Sequence, residues 1–193
     1  PCCDAISGAP VIFTLHNLNV VPGAGFNADS RGWCWFDDQG FDYHYGPGSS
    51  YGSGSSAGGC YGGRGGGAIL GTNYGYTNAP FYPGSPGGNG VLAQAGGAIR
   101  IHATLVWMNG TLTANGNDSS TSSTGGGSGG GIWVTCTSFR SSTSTVISAR
   151  GGNTTSTGSA GGGGRVAIAV RLNDGHIANA YTTGTVIPPV TSV

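Results

Sequence analysis

Lysine and glutamate do not occur in this chain of 193 residues. Its seven cations are all Arg and its seven anions all Asp, so charged residues make up 7% and the formal net charge is zero. A nucleic-acid-binding protein carries a basic patch or stripe, and seven scattered arginines balanced by seven aspartates supply none. No apolar stretch approaches the roughly 20 residues of a membrane-spanning helix, so membrane insertion is not expected. Helical periodicity is missing too: the polar Gly/Ser/Thr/Asn-rich stretches leave no stripe at helical spacing, and Gly is a poor helix former. Catalytic signatures are absent. No glycine-rich segment ends in Gly-Lys-Ser/Thr, and Gly52-Ser-Gly-Ser-Ser lies in a low-complexity tract without the partners of a nucleophile elbow. A glycosidase or lyase built on strands needs paired carboxylates, or a base with Arg and Lys, on one exposed strand face, whereas the outward positions of this chain's repeat strands hold no carboxylate and Asp118 and Asp174 stand far apart in loops. The expectation is a non-enzyme with no cofactor.

What is present in excess is glycine, 41 residues, about three times the usual share. There is no Gly-X-Y period, so collagen is excluded. Four Trp, eight Tyr and six Phe, together with zero net charge, argue against disorder. One pattern is written three times: Gly-Gly-Ala-Ile-Arg-Ile-His-Ala (96–103), Gly-Gly-Gly-Ile-Trp-Val-Thr-Cys (129–136) and Gly-Gly-Arg-Val-Ala-Ile-Ala-Val (163–170). Each is a glycine run followed by strict alternation, the mark of a strand with one buried face. Ile99, Ile132 and Val166 align, as do Ile101, Val134 and Ile168. The opposite, outward positions are Arg100, His102, Trp133, Thr135, Ala167 and Ala169. A second short strand follows two of the copies, at Thr111–Gly116 and Val146–Gly151.

Self-similarity at such a period marks a solenoid. The expected fold class is therefore all-β: a right-handed parallel β-helix with Gly-rich loops and an aromatic, Cys-bearing N-terminal cap. Neighbouring coils would lie about 4.8 Å apart, with like residues stacked and each coil burying the next one's apolar face. This register predicts Arg100 over Trp133. One domain spans 1–193. Within it, 1–48 holds an N-terminal strand (Val11, Phe13 and Leu15 on one face) and the aromatic cap, and 49–95 the Gly/Ser/Tyr-rich loops with stacked tyrosines. The repeats occupy 96–181, and 182–193 is a C-terminal arm, whose Pro188-Pro189 argues against an internal strand.

The order of Gly59-Cys-Tyr-Gly-Gly-Arg-Gly-Gly-Gly, Tyr74-Gly, Gly84-Ser-Pro-Gly-Gly, Gly96-Gly-Ala-Ile-Arg-Ile, Gly125-Gly-Gly-Ser-Gly-Gly-Gly-Ile-Trp-Val, Ile147-Ser-Ala-Arg-Gly-Gly and Gly161-Gly-Gly-Gly-Arg-Val-Ala-Ile resembles the Gly-rich β-helical repeats of large secreted and cell-surface proteins of protists and bacteria. The resemblance covers roughly residues 58–170. It implies an extracellular β-helix with a scaffold or surface role and brings no catalytic residues.

Five cysteines stand at 2, 3, 34, 60 and 136. Cys136 falls at an inward strand position, where a free Cys behaves as a small hydrophobe. Cys2 and Cys3 are then expected to pair with Cys34 and Cys60, in either order; adjacent cysteines are not expected to bridge each other, because the bridge strains the peptide between them. Disulfides fit an oxidising compartment. Three sequons, Asn109-Gly-Thr, Asn117-Asp-Ser and Asn153-Thr-Thr, fall at strand ends or loops and are the expected glycosylation sites. The start at Pro1 rather than Met reads as a mature or excised segment.

Asp37, Asp38, Asp42 and His44 offer hard ligands in a short span, but the spacing is not an EF-hand loop, and a solvated acidic turn is preferred over a Ca²⁺ site. His16, His44, His102 and His176 share no metal-ligand spacing. The expected function is thus an extracellular structural subunit of a surface fibril or glycosylated coat. Its partners are copies of itself and N-linked glycans, with residues 10–21 or 182–193 in a head-to-tail contact. The aromatic segment 33–45 is expected to cover one end of the strand stack, leaving the Val166–Leu172 end open. The alternatives are a glycan-binding module using Trp33, Trp35, Tyr43 and Tyr45, and, behind it, a polysaccharide-active enzyme.

Overall fold

The computed structural model describes residues 10–38, 41–44, 46–49, 56–67, 71–88, 93–119, 124–154, 157–171, 177–182 and 185–186. These contain twelve strands: β1 Val11–Val20, β2 Gly25–Asn27, β3 Trp35–Asp38, β4 Phe41–His44, β5 Ala98–Met108, β6 Thr111–Thr113, β7 Gly131–Cys136, β8 Ser138–Ser141, β9 Val146–Ser148, β10 Arg165–Arg171, β11 Ile177–Thr182 and β12 Thr185–Val186. They form three sheets. The first runs β1-β5-β7-β10-β11, with β8 also paired to β5; the second runs β12-β9-β6-β2; β3 and β4 make a hairpin of their own.

Alternation sets the register. Ile99 pairs with Ile132, and Ile132 with Val166; Ile101 pairs with Val134, and Val134 with Ile168. In the second sheet Phe26, Leu112 and Ile147 form a matching row. Both apolar rows face inward. Ile101, Met108, Ile132, Val134 and Leu112 are fully buried, and Val106, Ile147 and Val166 nearly so. They form one cluster, in which each fully buried aliphatic side chain contributes about 1.5–3 kcal/mol.

The glycine runs build something different. Gly125–Gly130 are buried yet belong to no strand. They are held by backbone hydrogen bonds between runs: Gly59 N–H to Gly126 C=O at 3.0 Å, Gly126 N–H to Ser159 C=O at 2.9 Å, and Gly162 N–H to Gly59 C=O at 2.8 Å. A β-carbon on Gly58 would collide with the Ala160 carbonyl, and one on Gly125 with the Ala57 carbonyl. At these two positions glycine is required for close approach of backbones, not for turning.

This architecture corrects the expectation of a right-handed parallel β-helix with Gly-rich loops. The strands are divided among three sheets of mixed pairing. β1, β5, β7 and β10 are parallel neighbours, but β11 pairs antiparallel with β10, β12 antiparallel with β9, and β3 antiparallel with β4. No strand occurs among the described residues between β4 and β5, although β1 pairs with β5 along its length. The physical reason is the glycine. Alternating side chains specify a strand and its buried face, but glycine runs carry no side chains to stack, so they pack through their peptide groups. The aromatic cap is corrected as well. Trp33 runs beside the glycine layer, its N–H donating to Gly84 C=O and its C=O accepting from Ala95 N–H. It leaves β1 uncovered, with Val11, Ile12 and Leu15 at 56%, 53% and 38% exposure.

Candidate functional site

Two features of the first sheet stand out from the rest of the surface: its open end and its outer face. The open end is β1. The sequence Val-Ile-Phe-Thr-Leu-His-Asn-Leu-Asn-Val contains no proline, no carboxylate and no arginine, the devices with which proteins block an exposed strand edge. One edge of β1 is paired with β5, from Val11 opposite Ile99 to Val20 opposite Met108; among the described residues no strand pairs the other. Phe13 anchors the strand from below, its ring 4.8 Å from that of Phe26 on β2. The first strands of the two sheets therefore lie at the same end of the molecule.

The expected open end at Val166–Leu172 is not open. β10 is covered by β11, with Val166 opposite Thr182 and Arg171 opposite Ile177; Leu172 lies outside the described residues. β11 and β12 are the last strands of their sheets at this far end. The arm is thus partly placed: Thr185–Val186 is an edge strand paired with β9, and residues 187–193 lie outside the described residues.

No family model, curated protein or solved structure matches this chain. The site is therefore read from its own geometry.

On the outer face the predicted register places Arg100 opposite Trp133, and the guanidinium lies 4.4 Å from the ring centroid. Arg100 Nε–H donates to His102 Nε2 at 2.5 Å, which leaves the proton on Nδ1, and Nδ1–H donates to Thr135 Oγ1. The imidazole also meets Trp133 edge-on, at 5.5 Å between centroids. Burial, then the Arg100 and Arg171 guanidiniums, hold His102 below its usual range, so it is neutral at neutral pH. Ala167 and Ala169, expected outward beside this ladder, are buried. The tyrosine-bearing segment lies over the start of β7 and β10. Arg165 sits 5.5 Å from the Tyr61 ring, Tyr61 packs against Tyr74 at 4.8 Å with the rings tilted by 48°, and the Pro80 and Tyr82 carbonyls press on Gly131. Burial raises the Tyr61 and Tyr74 hydroxyls far above the ordinary phenol range.

The expected glycosylation sites all lie outside strands. Asn153 is exposed, and Asn109 and Asn117 are half-buried. Asn153 N–H is held by Asp118 Oδ1 at 2.8 Å, and the same oxygen takes Arg150 at 3.2 Å. Cys34, Cys60 and Cys136 are buried. Cys60 Sγ accepts the Gly65 N–H at 3.3 Å, and burial pushes the Cys136 thiol up to about 11. Cys2 and Cys3 lie outside the described residues, and with them the expected pairing to Cys34 and Cys60.

Asp37 and Asp42 are opposite each other in the β3–β4 hairpin, and Asp38 follows on β3. Among the described residues no three His, Cys, Asp or Glu side chains converge on a metal position. Of the expected aromatic platform, Trp33 is half-buried, Trp35 and Tyr43 lie in the hairpin, and Tyr45 is outside the described residues. His16 on β1 meets Thr104 at 3.4 Å, His44 ends β4, and His176 is outside the described residues.

Proposed function

We propose that this protein is an extracellular structural subunit that polymerises head to tail, and that the contact is strand pairing between the β1 end of one copy and the β11/β12 end of the next. The observation that carries the reading is the ten-residue, uncharged, exposed edge of β1. An edge of that kind presents a row of unpaired N–H and C=O groups and is a template for another chain. The partner edge is at the far end of the same sheet. β11 runs opposite to β10 and hence to β1, so in a head-to-tail repeat β1 meets the next copy's β11 antiparallel. A heterologous contact of this sort does not close on itself and generates a filament unless its rotation happens to make a ring.

The sequons fit a glycosylated coat. Asn109, Asn117 and Asn153 are on connections between strands, and Asn153 is exposed. The same sequons, together with the cysteines, support the extracellular reading.

The test uses side chains that the fold does not need. Val11→Lys combined with Ile12→Lys places two charges beside the free edge of β1 at exposed positions. The doubly substituted protein is expected to fold as before, by circular dichroism, and to lose the polymer seen by light scattering and electron microscopy for the native chain. If it assembles as the native chain does, or if the native chain stays monomeric at high concentration, the reading fails.

A further inference from the structure

The outer face of the first sheet carries a second feature that strand pairing does not use. Between β1, β5, β7 and β10 lies a shallow depression of about 340 Å³. Its floor is two rows of the pleat. Thr14, His102 and Thr135 are consecutive partners in one row. In the next, Thr137 N–H donates to Thr104 C=O at 2.9 Å, and Arg171 closes the far wall. Thr14, Thr104, Thr137 and Arg171 are exposed.

Three properties of this depression point to one ligand chemistry. First, it is cationic and unbalanced. Arg171 lines it and Arg100 stands beside it, and neither forms an ion pair among the described residues. The ion pair that is formed there joins Arg150 to Asp118, on other connections. Among the described residues no carboxylate lines the depression, which does not favour a metal ion or acid–base hydrolysis there. Second, one of its cations is held in place. Arg100 is stacked on Trp133 and hydrogen-bonded through Nε, which fixes the guanidinium plane. A planar, pre-oriented guanidinium is the group that pairs best with an oxyanion. Third, hydroxyls make up the polar part of the remaining lining, beside the apolar Leu15, Ala103 and Cys136. Four threonines offer groups that both donate and accept. Thr135 already accepts from His102, so its own O–H is available to donate.

We infer that this depression binds an oxyanion-bearing saccharide: the guanidiniums of Arg171 and Arg100 take the sulfate or carboxylate, and the threonine hydroxyls take the sugar hydroxyls. Neutral His102 does not compete for the anion. It orients Thr135 and Arg100, and is a positioning residue. This inference stands apart from the assembly reading, since the depression lies on the face of the sheet and not on its edges.

The experiment is calorimetric titration of the whole chain with three oligosaccharides of matched length: sulfated dextran, polygalacturonate and neutral dextran. Binding of either acidic oligomer and not of the neutral one is expected, and whichever of the two binds identifies the anion. Arg171→Gln, at an exposed position, is expected to weaken that binding about tenfold, the loss of one charge-assisted hydrogen bond. Arg171→Lys should restore part of it. Arg64→Gln, a change at another exposed arginine, should leave it within twofold. Thermal melts confirm that the variants are folded. The inference is overturned if neither acidic oligomer binds, if neutral dextran binds equally, or if Arg171→Gln and Arg64→Gln behave alike.

Discussion

The strand ladder and the glycine layer are both buried, and they are built on opposite terms. In the ladder Ile99, Ile132 and Val166 stack side chain on side chain, and the backbones stay at strand distance. In the glycine layer Gly58, Gly125 and Gly161 have nothing to stack, and peptide groups of neighbouring runs touch directly, carbonyl against Cα. Cohesion in the first is apolar burial. In the second it is the hydrogen bonding of buried peptides, each of which would cost about 1–3 kcal/mol if left unpaired. The ladder should thus tolerate a lost methyl group at measurable cost, whereas the glycine layer should not tolerate an added one.

The largest effect is expected in the glycine layer. Gly126→Val puts three carbons where the Gly152 carbonyl and the Gly161 amide lie, and backbone on both sides has no rotamer with which to yield. Loss of the cooperative thermal transition is expected. The matched control is in the same kind of run. Gly163 has open space at its β-carbon while its neighbour Gly162 faces the Gly63 carbonyl. Gly163→Ala should be neutral or stabilise by up to about 1 kcal/mol through the unfolded chain, and Gly162→Ala should destabilise by about 1–3 kcal/mol. Equal melting temperatures for these two variants would mean that composition, not contact, explains the glycine.

Next in size is the ladder. Ile132→Ala removes the middle of a fully buried row and should cost about 2–5 kcal/mol in denaturant unfolding, with the transition still cooperative. Smaller again is the alkaline limb of stability. The Cys136 thiol is raised from 9.0 to about 11 by burial. The unfolded chain therefore loses this proton first: stability is unaffected below about pH 9 and falls as pH rises from there to about 11, by on the order of 1–3 kcal/mol. Subtracting the profile of Cys136→Ala isolates this thiol from the buried tyrosines. The smallest effect belongs to the outer face, where Arg100→Gln should cost about 0.5–1 kcal/mol by losing the contact with Trp133.

The same contrast explains what could be read in the sequence. Ile99, Ile132 and Val166, with Arg100 and Trp133 on the other side, are legible because alternation fixes both the face and the register of neighbouring strands. The layer at 56–66 and 124–130 is not, because glycine leaves no periodicity: the same runs read equally as loops, as linkers or as a packed layer. Reversal after Arg171 is hidden for a related reason. Ile177–Thr182 has the alternation of a strand, but nothing local states whether a strand will return parallel or antiparallel, so β10 was expected to end the sheet. The outer depression was missed because two of its lining residues, Thr14 and Arg171, are 157 residues apart. The available signal was the run of outward threonines, Thr14, Thr104, Thr135 and Thr137, at matching strand positions.

Assembly through the open end is the central claim, and an electron cryo-microscopy map of the polymerised protein tests it most directly. The account predicts a filament in which β1 of one copy lies about 4.8 Å from β11 of the next, antiparallel, with the outer faces turned to solvent. A filament joined through those faces instead, with a free β1 edge at every junction, would contradict it.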